Sequence, residues 1–139
     1  MAEPMNNIWR GGVQHTTSES LEVVNAAIDT LPGAIVDAQG AAKTAFDGAP
    51  FYIVQEQLYG TVNDEQKGSA RLLIPRSGTL FAVRAVAGQT IVRDAPLEIS
   101  GAAGYVAVAT APVIGTTLFA EVDVTGVTTA GQLIPVRVK

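Results

Sequence analysis

From about residue 32 to the C-terminus, short apolar runs alternate with tight connections that contain Gly or Pro. The clearest runs cover residues 105–110, 117–124 and 133–139. Short runs bounded by regular turn signals are typical of the strands of a small barrel or sandwich. The pattern therefore predicts an all-β fold, a small compact β-barrel or tulip-like β-sandwich, formed as a single domain by residues 21–139.

Residues 18–31 fit two patterns. Apolar residues recur there at helical spacing, at Leu21, Val24, Ile28 and Leu31. Residues 21–25 also alternate as a strand would, and the following Pro32 and Gly33 predict a turn in either case. We expect a strand that enters the barrel.

Two similar units, residues 32–51 and 77–97, each combine a Gly-started strand, a Gly-containing turn and a Pro before a third strand. Two such meanders predict the halves of one closed barrel. Pro75 and Pro135 each interrupt a strand-like run. Because proline cannot donate a hydrogen bond to a strand ladder, we expect these runs at sheet edges or barrel mouths.

Residues 1–20 are polar and show no sustained period, which predicts an extended N-terminal arm. The arm contains one cluster with anchor character, formed by Met5, Ile8, Trp9 and Arg10, and Trp9 is the only tryptophan of the chain. A bulky aromatic beside an arginine is typical of the residues that dominate protein interfaces. Docking on a partner and packing of Trp9 against its own barrel are both open at this point.

The composition excludes several classes of partner. The net charge is −4, and the nine Lys and Arg residues are scattered, so we expect neither nucleic acid nor an anionic membrane as partner. No charge occurs between Glu98 and Glu121, but the Gly and Pro residues of that span favour two strands and a turn over a membrane helix. The N-terminus lacks the pattern of a secretion signal, which predicts synthesis and retention in the cytoplasm.

The residues suggest no bond chemistry. The chain has no Cys and a single histidine, His15, whereas a zinc site needs three or four converging ligands. The carboxylate pairs Asp64–Glu65 and Glu121–Asp123 lack the spacing of a calcium loop and are expected to be solvated. We therefore predict no enzyme, no cofactor and no metal.

Two further features suggest contact surfaces. The polar excursion from residue 55 to Arg71, which includes Tyr59, is long for a hairpin. Arginines in or beside the middle strands, at Arg71, Arg76, Arg84 and Arg93, suit an interface, although a solvated strand face is the favoured interpretation of any single one of them. The candidate partner-interface residues are Met5, Ile8, Trp9, Arg10, Tyr59, Arg71 and Arg76.

Several short motifs resemble the small decoration, or cement, proteins of tailed-bacteriophage heads. They are an Ala95-Pro-Leu97 entry, a Gly-then-valine strand at 104–108, Val113-Ile-Gly115, a closing strand at 130–138, and an opening turn and strand at 31–36. The chain departs from the family pattern at Arg93-Asp94, where a glycine is expected, and residues 55–76 have no counterpart.

The resemblance implies a structural virion protein that is made in the host cytoplasm and binds the outside of the expanded capsid. It implies the major capsid protein as partner, a homotrimer with a homodimer as the alternative, and an N-terminal arm that reaches neighbouring coat subunits. Two alternatives stay open: another virion β-module such as a tail or neck adaptor, and a carbohydrate-binding barrel that uses Tyr52, Tyr59 and Tyr105.

Overall fold

The computed structural model describes residues 19–24, 30–57, 69–110 and 118–139, with side chains described over 30–55, 71–110 and 118–139. In these ranges the regular elements are β-strands. In chain order they are β1 (Glu19–Val24), β2 (Ile35–Val36), β3 (Tyr52–Gln57), β4 (Ser69–Ile74), β5 (Leu80–Ala85), β6 (Leu97–Ser100), β7 (Tyr105–Val108), β8 (Leu118–Ala120) and β9 (Gln132–Val138). The all-β prediction is confirmed. None of the described segments is a helix long and apolar enough to cross a membrane.

The strands form two sheets. One has four strands in the order β1-β4-β3-β2, all antiparallel, and the other has five in the order β6-β7-β5-β9-β8. Within the second sheet β5 and β7 run parallel and the other pairs are antiparallel. The strand predicted within residues 18–31 is confirmed as β1 over Glu19–Val24, and it includes the last two residues of the predicted arm. Residues 1–18 and 25–29 lie outside the described part of the chain.

The closed barrel predicted from the two similar units is wrong. The outer strands β6 and β8 of the five-stranded sheet approach each other at an isolated bridge between Pro96 and Phe119, but they form no continuous ladder there. The two units also pair differently. In the first unit β2 pairs with β3, whereas in the second unit β5 pairs with β7 and β9 and not with β6. The fold is therefore a pair of open sheets, not two copies of one meander.

A short strap at residues 33–35 joins the two sheets. On one side the Gly33 N–H donates to the Val54 carbonyl at 2.8 Å, and the Val54 N–H donates to the Ala34 carbonyl at 3.0 Å. On the other side the Arg84 N–H donates to the Gly33 carbonyl at 3.0 Å, and the Ile35 N–H donates to the Gly104 carbonyl at 2.8 Å. The strap thus gives strands β3 and β5 and the β6–β7 turn a common set of hydrogen bonds.

One hydrophobic core lies between the sheets. Ile35 and Ile53 from the four-stranded sheet pack in the same cluster as Val83 and Ile134 from the five-stranded sheet. In β5 the alternation places Phe81, Val83 and Ala85 inside, and in β9 it places Ile134, Val136 and Val138 inside. Each fully buried Val, Leu or Ile side chain contributes about 1.5–3 kcal/mol to folding, so this shared cluster is the main energetic link between the sheets.

Pro135 lies in an inner strand, and the prediction that its run forms an edge is wrong. β9 pairs with β5 on one side and β8 on the other. The last paired residue of β8, Ala120, lies opposite Val136, so β8 stops just before it would face Pro135. The Pro135 carbonyl still accepts the Glu121 N–H at 3.0 Å. The missing N–H therefore falls where the neighbouring strand has ended, and an inner strand tolerates the proline.

Two buried threonines lead to opposite expectations for the same substitution. The Thr128 hydroxyl donates to the Val86 carbonyl at 2.6 Å and accepts the Gln89 N–H at 2.9 Å. The hydroxyl of Thr79 is buried and has no hydrogen-bond partner among the described residues. Removal of a buried hydroxyl that is hydrogen-bonded lowers the free energy of unfolding, because its partners lose their bonds. Removal of a buried hydroxyl that is unpaired raises the free energy of unfolding, because the cost of burying that polar group disappears.

We expect Thr128→Val to lower the free energy of unfolding by about 2 kcal/mol and Thr79→Val to raise it by about 1 kcal/mol. Because valine has nearly the shape of threonine, each variant acts as the control for the other. Urea denaturation of both variants beside the parent protein measures the two changes. Equal destabilisation by both substitutions would contradict the hydrogen bonding described here.

Candidate interaction surface

The outward side of β5 and β9 presents apolar residues to solvent. Ala82 lies opposite Pro135 in the β5–β9 ladder, and Leu80 and Leu133 lie further along its two strands. Leu80 is 54% exposed and Leu133 is 50% exposed. We call these four residues the β5–β9 outer face. Single exposed hydrophobic residues are ordinary, but adjacent ones on a rigid sheet are typical of a contact surface.

Arg84 borders one end of the β5–β9 outer face and is held by its own chain. Its Nε donates to the Pro32 carbonyl at 2.6 Å, and its Nη1 donates to the Gly131 carbonyl at 2.8 Å. The Leu133 side chain lies against Gly33, where an added Cβ would come within 2.8 Å of the Leu133 Cδ2. Arg84 therefore fastens two distant turns beside the face, so its guanidinium serves the fold instead of a partner.

Arg137 borders the other end and bridges two carboxylates. Its Nη2 donates to the Asp94 Oδ1 at 2.8 Å, and its Nη1 donates to the Glu121 Oε1 at 2.6 Å. The hydrogen bond from Arg137 lowers the pKa of Asp94 below its ordinary value, and the bond with Asp94 raises the pKa of Arg137. Asp94 has φ 67°, the left-handed conformation that glycine adopts readily. The turn at Arg93-Asp94 therefore has a backbone conformation that glycine adopts readily, although it contains no glycine.

The pH dependence of the Asp94–Arg137 pair follows from the direction of the shift. Because the pKa of Asp94 is lower in the folded state than its ordinary value of 3.8, the pair stabilises the fold above that value, and the stabilisation is lost as pH falls through the folded pKa. We expect the titration midpoint of the Asp94 carboxyl, followed by NMR, to rise towards its ordinary value in Arg137→Gln. The pKa of Asp47, which Lys43 lowers, is the internal control and should not move. Equal midpoints for Asp94 in the two proteins would contradict the pairing.

The acidic residues Glu121 and Asp123, which the sequence predicted to be solvated, both accept hydrogen bonds within the fold, and Asp123 is exposed. β8 ends at Ala120, so both residues follow the strand. Glu121 binds Arg137, and the Asp123 Oδ1 accepts the Arg93 N–H at 2.8 Å. Across the described ranges, no group of three or more His, Asp or Glu residues is placed to bind a metal ion. His15 and the Asp64–Glu65 pair lie outside those ranges.

Two of the predicted interface residues lie within the described ranges. Arg71 of β4 is in backbone register with Glu22 of β1 and with Glu56 of β3. Arg76 is exposed in the turn between β4 and β5, where its carbonyl accepts the Thr79 N–H at 3.0 Å. The structure therefore places the two arginines in different settings. The remaining candidates, Met5, Ile8, Trp9, Arg10 and Tyr59, lie outside the described residues, and their contact role stays a prediction.

The two described tyrosines line separate grooves. Both pack against the small cluster of Ala34, Val36, Val54 and Leu72. Tyr52 lines a groove of about 290 Å³ together with Phe46, Phe51, Ile74 and Pro75 among others, which we call the aromatic groove. Tyr105 lines a second groove of about 350 Å³, whose wall consists mainly of small residues. The two rings therefore do not form the single stacking platform that a sugar site built on both of them would need.

Sequence reasoning missed the β5–β9 outer face, although one signal was present. In β5 both phases of the alternation are largely apolar, since Leu80 and Ala82 stand between Phe81, Val83 and Ala85. A strand that is apolar on both sides is either covered on both sides or exposes one of them. Comparisons with known proteins found no family model and no curated protein that matches this chain. The functional inference therefore rests on the residues and on this surface.

Proposed function

We propose that the protein is a structural component of a bacteriophage particle, a decoration protein that binds the outer surface of the capsid and stabilises the expanded head against internal pressure. The major capsid protein is the partner, and the protein acts as a homotrimer on the capsid exterior. The observation that carries the proposal is the β5–β9 outer face, an exposed apolar surface on a rigid scaffold of two sheets. The motif resemblance to decoration proteins supports the same function.

The physical basis of the proposed binding is a rigid surface that buries apolar area without a change of conformation. Six residue pairs join β5 and β9 in a ladder that fixes the backbone of both strands. Binding through this face therefore costs little conformational entropy. Burial of exposed apolar surface contributes about 25 cal/mol per Å² to the hydrophobic part of the binding free energy. A trimer that repeats a modest contact at several coat subunits gains avidity, because each contact after the first is intramolecular.

The position of β1 supports a second contact through the arm. β1 is an outer strand of the four-stranded sheet, and it continues towards the N-terminus into residues 1–18. An extended segment that leaves an edge strand can pair with a strand of a neighbouring protein, because main-chain hydrogen bonds require little side-chain specificity. In the proposed function, the cluster around Trp9 anchors this segment on a neighbouring coat subunit, and Tyr59, Arg71 and Arg76 add contacts from the body of the protein.

The face is tested by charge substitution at exposed positions. We expect Leu80→Asp and Leu133→Asp to lower affinity for expanded, DNA-free heads about tenfold or more, since each would place a charge in an apolar contact at a cost of at least about 1.4 kcal/mol. Val127→Asp is the matched control, because Val127 is 63% exposed and lies outside β5 and β9. Sedimentation with purified heads measures the bound fraction. Unchanged binding of both face variants would overturn the proposed contact surface.

The arm is tested by deletion of residues 1–18, which ends just before β1. We expect the truncated protein to keep its fold and its oligomeric state in native mass spectrometry and to lose about tenfold or more in affinity for heads, or about 1.4 kcal/mol. Full binding without the arm would contradict the anchor role of Trp9. Retention on immobilised glycans with no binding to heads would favour the carbohydrate-binding alternative.

A further inference from the structure

The aromatic groove lies at the end of the four-stranded sheet where the N-terminal segment enters the fold. Glu19, the first residue of β1, pairs with Ile74, and both Ile74 and the following Pro75 line the groove. The chain that precedes Glu19 therefore leaves β1 beside the groove wall. Trp9 lies ten positions before Glu19, a length that spans up to about 33 Å when extended, so Trp9 is within reach of the groove.

The lining of the groove suits one large aromatic side chain. Phe46 and Phe51 meet edge to face with 5.0 Å between their ring centroids, and Tyr52 lies in the same wall. The volume of about 290 Å³ falls at the lower limit for pockets that hold drug-sized ligands, which start at about 300 Å³. Aromatic rings gain additional stabilisation when a further ring packs against them in an offset or edge-to-face arrangement.

The Asp47 carboxylate beside the groove has the opposite charge to Arg10, the residue that follows Trp9. Asp47 immediately precedes Gly48 and Ala49, which form part of the groove wall. The Asp47 side chain is 61% exposed and binds Lys43 through its Oδ1 at 3.0 Å. Arg10 follows Trp9 in the sequence, and its guanidinium has the charge and the donors to pair with this carboxylate.

We propose that, in the protein free of any capsid, the Ile8–Arg10 segment of the same chain docks in the aromatic groove, with the Trp9 indole packed against Phe46 and Phe51 and Arg10 beside Asp47. The occupant is a segment of this chain, so in the free protein Trp9 takes the second of the two roles that the sequence left open, packing against its own fold. The inference concerns the unbound protein. Its test contains no capsid, so the result does not depend on the proposed function.

The test uses Trp9 as its own reporter, since it is the only tryptophan in the chain. We expect the full-length protein to show blue-shifted emission and weak quenching by acrylamide compared with the same protein unfolded in urea. Ala49→Arg fills the groove and repels Arg10, so it is expected to shift the emission to the red and to raise quenching several-fold. Ala103→Arg is the matched control, because Ala103 is also exposed but lines the other groove, and it should leave the emission unchanged.

Three results would overturn the proposal. The first is Trp9 emission in the folded protein equal to that in urea, which means that the indole is in water. The second is blue-shifted emission that Ala49→Arg does not change, which places Trp9 elsewhere. The third is emission that moves to the red on dilution, which identifies the arm of a second copy as the occupant.

Discussion

Replacement of Gly104 by alanine is expected to unfold most of the protein under conditions in which Gly101→Ala stays folded. Gly104 has φ 76° and is buried, and an added Cβ would overlap the Ile35 carbonyl oxygen and come within 3.0 Å of the Ile35 nitrogen. The left-handed conformation alone costs alanine about 1–2 kcal/mol. Overlap with backbone atoms cannot be relieved by rotation of a side chain, so either the β6–β7 turn or the strap at residues 33–35 has to move.

Movement of the strap breaks hydrogen bonds on both of its sides. The Gly104 carbonyl accepts the Ile35 N–H, and the Ile35 carbonyl, which the new methyl group would overlap, accepts the Lys43 N–H at 3.0 Å. We expect a total loss of about 4–5 kcal/mol, an exceptional value for one substitution and close to the whole stability of a marginal domain. Urea denaturation followed by far-UV circular dichroism measures the loss.

Gly101→Ala is the matched control within the same turn. Gly101 has nearly the same conformation, φ 78°, but no atom lies within 4 Å of the position that its Cβ would take. Its substitution should therefore cost only the conformational term of about 1–2 kcal/mol. Equal losses at Gly101 and Gly104 would show that close packing against Ile35 does not matter and would contradict the role of the strap.

Removal of the Arg84 guanidinium is expected to cost about 3 kcal/mol. Arg84→Met keeps most of the apolar stem, so it isolates the two hydrogen bonds to the Pro32 and Gly131 carbonyls. Hydrogen bonds that involve a charged group contribute about 1.5–3 kcal/mol each, and part of the loss is recovered when water reaches the freed carbonyls. The bonds join turns 52 and 47 residues away from Arg84 in sequence, so they close long loops.

Two further variants make the Arg84 result specific. Arg84→Lys should recover part of the stability, because an ammonium group can reach one carbonyl but lacks the fork that reaches two. Arg93→Met, at an exposed arginine whose backbone N–H makes the bond to Asp123, should change stability by less than about 0.5 kcal/mol. Chemical denaturation of the three variants gives the comparison. If Arg84→Met is as stable as the parent protein within error, the Arg84 guanidinium does not stabilise the fold and is available to bind a partner.

The local pattern of the chain was sufficient to locate most of the described strands. Alternation and turn residues predicted the runs that became β7 and β9, and the Gly-rich connections match turns in which Gly33, Gly40, Gly88 and Gly131 have positive φ. These features depend on neighbours a few residues apart, because period and turn geometry are local properties of the backbone. The candidate site was harder to predict. Of the seven predicted interface residues only Arg71 and Arg76 lie in described ranges, and neither belongs to the β5–β9 outer face.

Strand pairing could not be read from the same pattern. The two similar units look alike in sequence, yet β2 pairs with β3 while β5 pairs with β7 and β9. A pairing partner is chosen by contacts that are distant in sequence, and the period of a strand does not specify which other strand will lie beside it. The inner position of Pro135 has the same origin, because it depends on where β8 ends.

The sequence by itself therefore determined an all-β fold, the approximate positions of many of its strands and the glycine turns between them. Only the tertiary structure decided which apolar side of β5 faces the core, that Arg84 joins two turns, that Asp94 has a left-handed conformation and pairs with Arg137, and that Gly104 must accommodate Ile35. The physical reason is the range of the interactions. Periodicity and turn chemistry act within a few residues, whereas burial, arginine bridges and backbone contact are set by segments that meet only after the two sheets have packed together.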